Sequence, residues 1–200
     1  MNDPRRFARD SALAAAMLGL CALEAPYAAV RFAAEARPAL RTPEAVVESW
    51  PLLPRSAALM LISKYGEPTR FEDDSLIWEG NGPWKKTVVH RAAPRSFLGF
   101  RGKNILEQSI SYAVPNDQLA ALDSFEKNLR YDEKEGELSS TSESEKRNYL
   151  TLNLAAEIIA GKRTVDEARD FSMRMINLSE AGKAAPYMDG FVIPLRTEAP

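Results

Sequence analysis

The sequence predicts an α+β fold: a small antiparallel sheet of three to five strands, helices packed on one face, and an N-terminal helical extension. Three observations carry this reading. Residues 57–91 run as helix, sharp stop, short strand, tight turn, strand. Residues 105–113 alternate apolar and polar at the period of a half-exposed strand. Residues 142–182 carry two helical patterns, each with start and stop signals. Local hairpin connections of this kind argue against a parallel βαβ sheet.

In the first stretch Ala58, Leu61, Ile62 and Tyr65 follow helical spacing, so one face is apolar. Gly66 suits the left-handed position past a helix end, and Pro68 prevents a restart. Leu76–Glu79 is a short apolar run, and residues 80–83 (Gly-Asn-Gly-Pro) form a turn cluster. Trp84–Arg91 is rich in β-branched and aromatic residues, as a second strand requires. Trp78 and Trp84 bracket the turn and are expected in the core.

Further along, residues 92–104 read as a loop with Pro94, Gly99 and Gly102. In the third strand Leu106, Ile110 and Tyr112 share one face, with Glu107, Ser109 and Ser111 opposite. Residues 115–124 read as a short helix. Residues 127–133 and 138–141 read as a fourth and fifth strand, with Gly136 at the turn. The helix over residues 142–160 has two apolar stripes on nearly opposite sides, one with Leu152 and Ala156, the other with Leu150 and Leu154. Such a helix belongs between layers. Thr164 and Glu167 form a capping box for the last helix, whose apolar face carries Ala168, Phe171, Met175 and Leu178.

These elements divide the chain into four parts: an Ala-rich extension over 1–36, a Pro-rich linker over 37–54, the α+β domain over 55–182 and an irregular tail over 183–200. In the linker, Thr42 and Pro43 start one short helix. In the tail, Phe191–Leu195 is an apolar knot able to pack back on the domain. The extension places Arg5, Arg6 and Arg9 before a short apolar run, the pattern of an export signal. Asp10 inside the basic region and the lack of a well-placed small-residue cleavage site favour a retained helix instead. With it they favour a cytoplasmic location over export or membrane association. The apolar run is also short of the ~20 residues that span a bilayer.

The segments KYGEP (64–68), LIWEGNGPWKKTVVHR (76–91), ILEQSISYAVP (105–115), GELS (136–139) and NYLTLNLAAEIIAGKRTVDEAR (148–169) resemble an uncharacterised family of bacterial domains. The resemblance spans roughly residues 50–169, and its most specific parts are GPWKKTVV and LNLAAEIIAGKRTVDEAR. It implies a family without an assigned activity. In such relatives the segment written here as 94–104 carries histidines, and the segment written as 139–144 a cysteine. This chain has neither, so no metal role is carried over.

Composition narrows the chemistry further. One Cys, Cys21, excludes an internal disulfide, and one His, His90, excludes a site built on two imidazoles of one chain. A net charge of −2 does not steer the molecule towards nucleic acid, which is not expected as a partner. His90 lies on a strand with no motif tying it to a nucleophile, and Asp73-Asp74 sits in a loop that favours Asp for local hydrogen bonds. No phosphate-binding loop, nucleophile elbow or metalloprotease helix motif is present. No cofactor, metal site or catalytic residue is expected.

Charge is distributed unevenly. Lys85, Lys86, Arg91, Arg95, Arg101 and Lys103 follow Trp84 with no acid among them up to Asn104, whereas residues 123–145 hold eight acids against three bases. Either the basic loop binds an anion or an acidic partner, with Phe97 and Phe100 as contact aromatics, or the two segments neutralise each other across the sheet. The expected function is a non-catalytic accessory or protein-interaction subunit. Its attachment element is expected in the extension, where Leu13, Met17, Leu18 and Leu20 would dock on a protein partner or a membrane surface. The alternative is a small anion- or ligand-binding domain using the loop over 84–104.

Overall fold

The computed structural model describes residues 41–94 and 103–194. The chain divides into two units, Met1–Arg37 and Pro38–Pro200, and the second is the subject here. Its sheet contains β1 (Arg70–Phe71), β2 (Ser75–Asn81), β3 (Trp84–His90), β4 (Leu106–Ser111), β5 (Leu129–Asp132) and β6 (Glu137–Ser142). The strand order is β1-β2-β3-β4-β6-β5, and every neighbouring pair is antiparallel. The fold is therefore α+β, with six strands rather than three to five. The additional strand is β1, whose two residues are too few to carry an alternating pattern.

Register defines the two faces. Leu76, Val89, Leu106 and Ser142 form one cross-strand row, and Trp78, Thr87, Gln108 and Ser140 form the next. Both rows face the helices. On the opposite face Ile77, Val88, Glu107 and Thr141 align. The hairpin between β2 and β3 closes with two residues, Gly82 and Pro83, because β2 runs through Asn81. Gly80 takes φ +66° and Gly82 φ +61°. The first interrupts the pleat near the tip. Trp84 consequently departs from the alternation that would group it with Lys86, Val88 and His90. It packs on Tyr149 instead, with ring centroids 4.6 Å apart.

A Cβ on Gly82 would lie 3.0 Å from Tyr65 Cε1 as well as occupying a left-handed backbone. Gly82→Ala is therefore expected to destabilise by about 1–2 kcal/mol. Differential scanning calorimetry would register this as a lower Tm, and an unchanged Tm would contradict the turn geometry.

The helices are α1 (Pro43–Val47), α2 (Leu52–Tyr65), α3 (Leu119–Phe125), α4 (Glu145–Ile159), α5 (Val165–Glu180) and α6 (Pro186–Asp189). Thr42 caps α1, Ser144 caps α4, and Thr164 with Glu167 forms the complete capping box of α5. Residues 43–54, read as linker from their prolines, contribute Val46, Val47 and Trp50 to the core. They pack there with Ala58, Leu61, Leu76, Trp78, Val89 and Leu106. The prolines start α1 and α2 rather than keeping the chain extended. A second cluster joins Trp84, Ile110 and Leu138 to both apolar sides of α4 and to Ala168 of α5. The tail begins with α6 and is fastened by buried Asn153, whose Nδ2 donates to Tyr187 O at 3.1 Å and Gly190 O at 2.8 Å. Phe191 then reaches the Trp84 ring, with centroids 5.0 Å apart.

Candidate functional site

Helix α2 presents two apolar faces. Pro51 precedes it, and Pro54 lies in its first turn, where no intrahelical N–H is lost. At 100° per residue, Ala57, Ala58 and Leu61 point into the sheet and are buried. On the opposite side Leu52, Leu53, Leu59 and Met60 are exposed to 81%, 41%, 40% and 54%. Exposed Ser56 and Ser63 fall among them, and the only charged residues of the helix are Arg55 and Lys64. Single exposed apolar side chains are ordinary, but four on one side of one helix form a patch.

Besides its core packing, the C-terminal end of this helix is tied down by one carboxylate. Glu145 stands at the first position of α4, where the helix dipole favours an anion. Its Oε1 accepts from Tyr65 Oη at 2.6 Å, Trp84 Nε1 at 2.7 Å and Gln108 Nε2 at 3.2 Å. Its Oε2 accepts from Lys64 Nζ. Gln108 extends the network, because its Oε1 accepts from Asn148 Nδ2 at 3.0 Å. Burial alone would push the Glu145 carboxyl up. The hydrogen bonds from Lys64, Tyr65 and Trp84 and the Lys64 charge outweigh burial and hold it below the usual carboxylate range. Burial, then the Glu145 charge, pushes the neighbouring Tyr149 phenol up to about 12. Three donors converge on Oε1 and Lys64 takes one position on Oε2, so Glu145 is an anchor that ties α2, β3 and β4 to the start of α4.

The candidate contacts from the basic segment are distributed differently. Lys85 Nζ lies 3.0 Å from Glu137 Oε1 and donates to Glu135 O at 3.2 Å, while Lys86 Nζ lies 3.6 Å from Glu137 Oε2. Burial acts to raise the Glu137 carboxyl, but the two lysines bring it below its ordinary value. Lys85 and Lys86 thus meet the acidic segment across the sheet. Arg91 and Lys103 are exposed. Arg95, Phe97, Phe100 and Arg101 lie outside the described residues, as do Cys21 and the docking candidates Leu13, Met17, Leu18 and Leu20.

His90 Nε2 lies 3.1 Å from Glu107 Oε2. Asp73 pairs with Arg41, and its backbone oxygen accepts from Trp50 Nε1 at 2.9 Å, which makes this loop a structural junction. Among the described residues no group of three or more His, Cys, Asp or Glu side chains is placed to hold a metal ion. Among the same residues no helix is long and apolar enough to cross a membrane.

Sequence reasoning missed the outer face of α2. Its signal was present: Leu52, Leu59 and Met60 sit opposite the stripe that includes Ala58 and Leu61. A helix apolar on both sides belongs between two layers, and among the described residues only one layer covers it. No family model, curated protein or solved structure matches this chain.

Proposed function

We propose that this chain is a non-catalytic protein-interaction subunit that docks a helical segment of a partner protein on the outer face of α2. The observation that carries the reading is the exposed set Leu52, Leu53, Leu59 and Met60 on a helix whose other side is locked into the core. Leu52, Leu59 and Met60 are spaced i, i+7 and i+8, so they line up along two turns. Ser56 and Ser63 between them are small enough for a partner helix to approach closely. Arg55 and Lys64 at the margins suit a partner with acidic residues beside its apolar stripe. The pairing of Lys85 and Lys86 with Glu137 weighs against the alternative of an anion-binding loop over 84–104.

The test is to isolate the partner with the native protein and titrate the two purified chains calorimetrically. Leu52→Glu with Met60→Glu is expected to weaken association at least 100-fold, about 3 kcal/mol, as losing central contact residues does. Both side chains are exposed, so the stability of the free chain should change by no more than about 0.5 kcal/mol per substitution. Undiminished association in this variant, together with loss on deletion of residues 1–40, would overturn the reading. The contact would then pass to the extension that carries Leu13, Met17, Leu18 and Leu20.

A further inference from the structure

The C-terminal tail is tied to α4 and α5 by side chains. Asn153, 0% exposed, stands in α4 and makes three hydrogen bonds to tail backbone. Besides the two donated by Nδ2, its Oδ1 accepts from Val192 N at 3.0 Å. Tyr187 meets Phe171 of α5 with ring centroids 4.8 Å apart, and its Oη donates to Glu157 Oε1 at 2.7 Å. Phe191 meets Tyr149 at 4.9 Å and Trp84 at 5.0 Å. The Lys146–Asp189 pair is exposed on both sides and adds little. Helix α6 is a single turn, and residues 190–194 belong to no helix or strand. A segment without a ladder, fastened by a few side chains, opens locally at a lower free energy than the whole domain. Opening leaves the Asn153 amide unpaired and exposes buried Met188, so the docked form is the ground state.

The docked tail reaches α2 through contacts in series. Trp84 departs from the alternation of β3, and its ring packs on Phe191. Its Nε1 donates to Glu145 Oε1 at 2.7 Å, and the same oxygen accepts from Tyr65 Oη at 2.6 Å. Tyr65 is the last residue of α2, and Met60 of the exposed face lies little more than one turn before it. The middle of α2 is fixed independently, by Ala57, Ala58 and Leu61 in the core. The route from the tail therefore bears on the last turn of the helix. Coupling of this kind needs an element with two discrete arrangements, and the tail has them, docked and open.

We propose that residues 186–193 form a latch that regulates the α2 docking face. Docked, they hold Trp84 against Glu145 and keep the last turn of α2 ordered. Released, they loosen that turn and weaken association. This inference rests on the reading of α2 as the docking surface. Coupling is reciprocal, so a partner bound to α2 also tightens the tail.

The test is hydrogen exchange on the free full-length chain, read amide by amide by NMR. It compares the parent with Phe191→Ala, which removes the ring against Trp84, and with Asn153→Ala, which frees the tail backbone. Phe191 is only partly buried, so its variant carries the test if Asn153→Ala does not fold. Two helix-end amides report the outcome: Gly66 N, which donates to Ile62 O at the end of α2, and Glu126 N, which donates to Leu122 O at the end of α3. Exchange should quicken at least fivefold over residues 186–194 and at Gly66, and less than twofold at Glu126, which lies off the route. Two results would each overturn the latch: a freed tail with Gly66 unchanged, or equal quickening at Gly66 and Glu126, which is general loosening. Once Leu52→Glu with Met60→Glu has established docking on α2, Phe191→Ala should also weaken association at least fivefold, and unchanged affinity there would equally overturn it. If that pair of substitutions leaves association intact, the docking reading fails while the exchange result on the free chain stands.

Discussion

Glu145→Ala is expected to lower the unfolding free energy by about 3–5 kcal/mol, the range seen when one member of a buried charged network is removed. The glutamate side chain is only 12% exposed. Its removal leaves Tyr65 Oη, Trp84 Nε1 and Gln108 Nε2 without the acceptor they share, each at the cost of an unmade buried hydrogen bond. Lys64, about half exposed, can turn to water and contributes little to the loss. Glu145→Gln keeps an acceptor oxygen and should cost less, about 1–2 kcal/mol. Urea unfolding monitored by Trp fluorescence would measure both. A loss below about 1 kcal/mol for the alanine variant would mean that water replaces the carboxylate freely and that the node does not hold α2.

The same node sets an acid limit. The Glu145 carboxyl is held below its ordinary value of 4.5 in the folded chain. A group depressed on folding contributes stability that is fully present above its unfolded value and lost as pH falls through the folded one. Stability should therefore decline below about pH 4.5, and the Glu145→Gln variant should decline less steeply over that window.

Trp84→Ala is expected to cost about 3–5 kcal/mol as well, chiefly through packing. The ring is 1% exposed and forms a three-ring cluster with Tyr149 and Phe191, with centroids 4.6 Å and 5.0 Å away. Trp84→Phe retains part of that packing but loses the indole N–H, so it should fall between the parent and the alanine variant. Because Trp84 donates to Glu145, the two alanine substitutions share an interaction and should not add. Their double variant should be less destabilised than the sum of the singles by more than about 0.5 kcal/mol. Strict additivity would show that Trp84 acts through its ring contacts alone. The loss of Phe191 packing should also loosen the tail, which hydrogen exchange over residues 186–194 would register.

Whatever depends on neighbours a few residues apart was determined by the sequence itself. The capping box of α5 needs Thr164 and Glu167 three positions apart, and that spacing is visible without a fold. Gly82 and Pro83 close a hairpin because glycine accepts a positive φ at no steric cost, and apolar alternation placed Leu106 and Ile110 on the core face of β4. The two stripes of α4 announced a helix between layers. By contrast, the role of Glu145 was decided only by tertiary structure, since its partners Lys64, Tyr65, Trp84 and Gln108 lie 37 to 81 residues away. As a sequence feature it is simply a first-turn acid.

The same physical reason explains the other differences. Residues 43–54 read as linker because proline marks breaks locally, whereas their burial depends on the sheet that receives Val47 and Trp50. Asn153 interrupts an apolar helix pattern, and only the returning tail supplies its partners at Tyr187 and Gly190. Local pattern determines which elements form and which face of each is apolar. Which polar atoms find partners, and which apolar faces remain uncovered, depends on contacts between distant segments, and the candidate sites arise there.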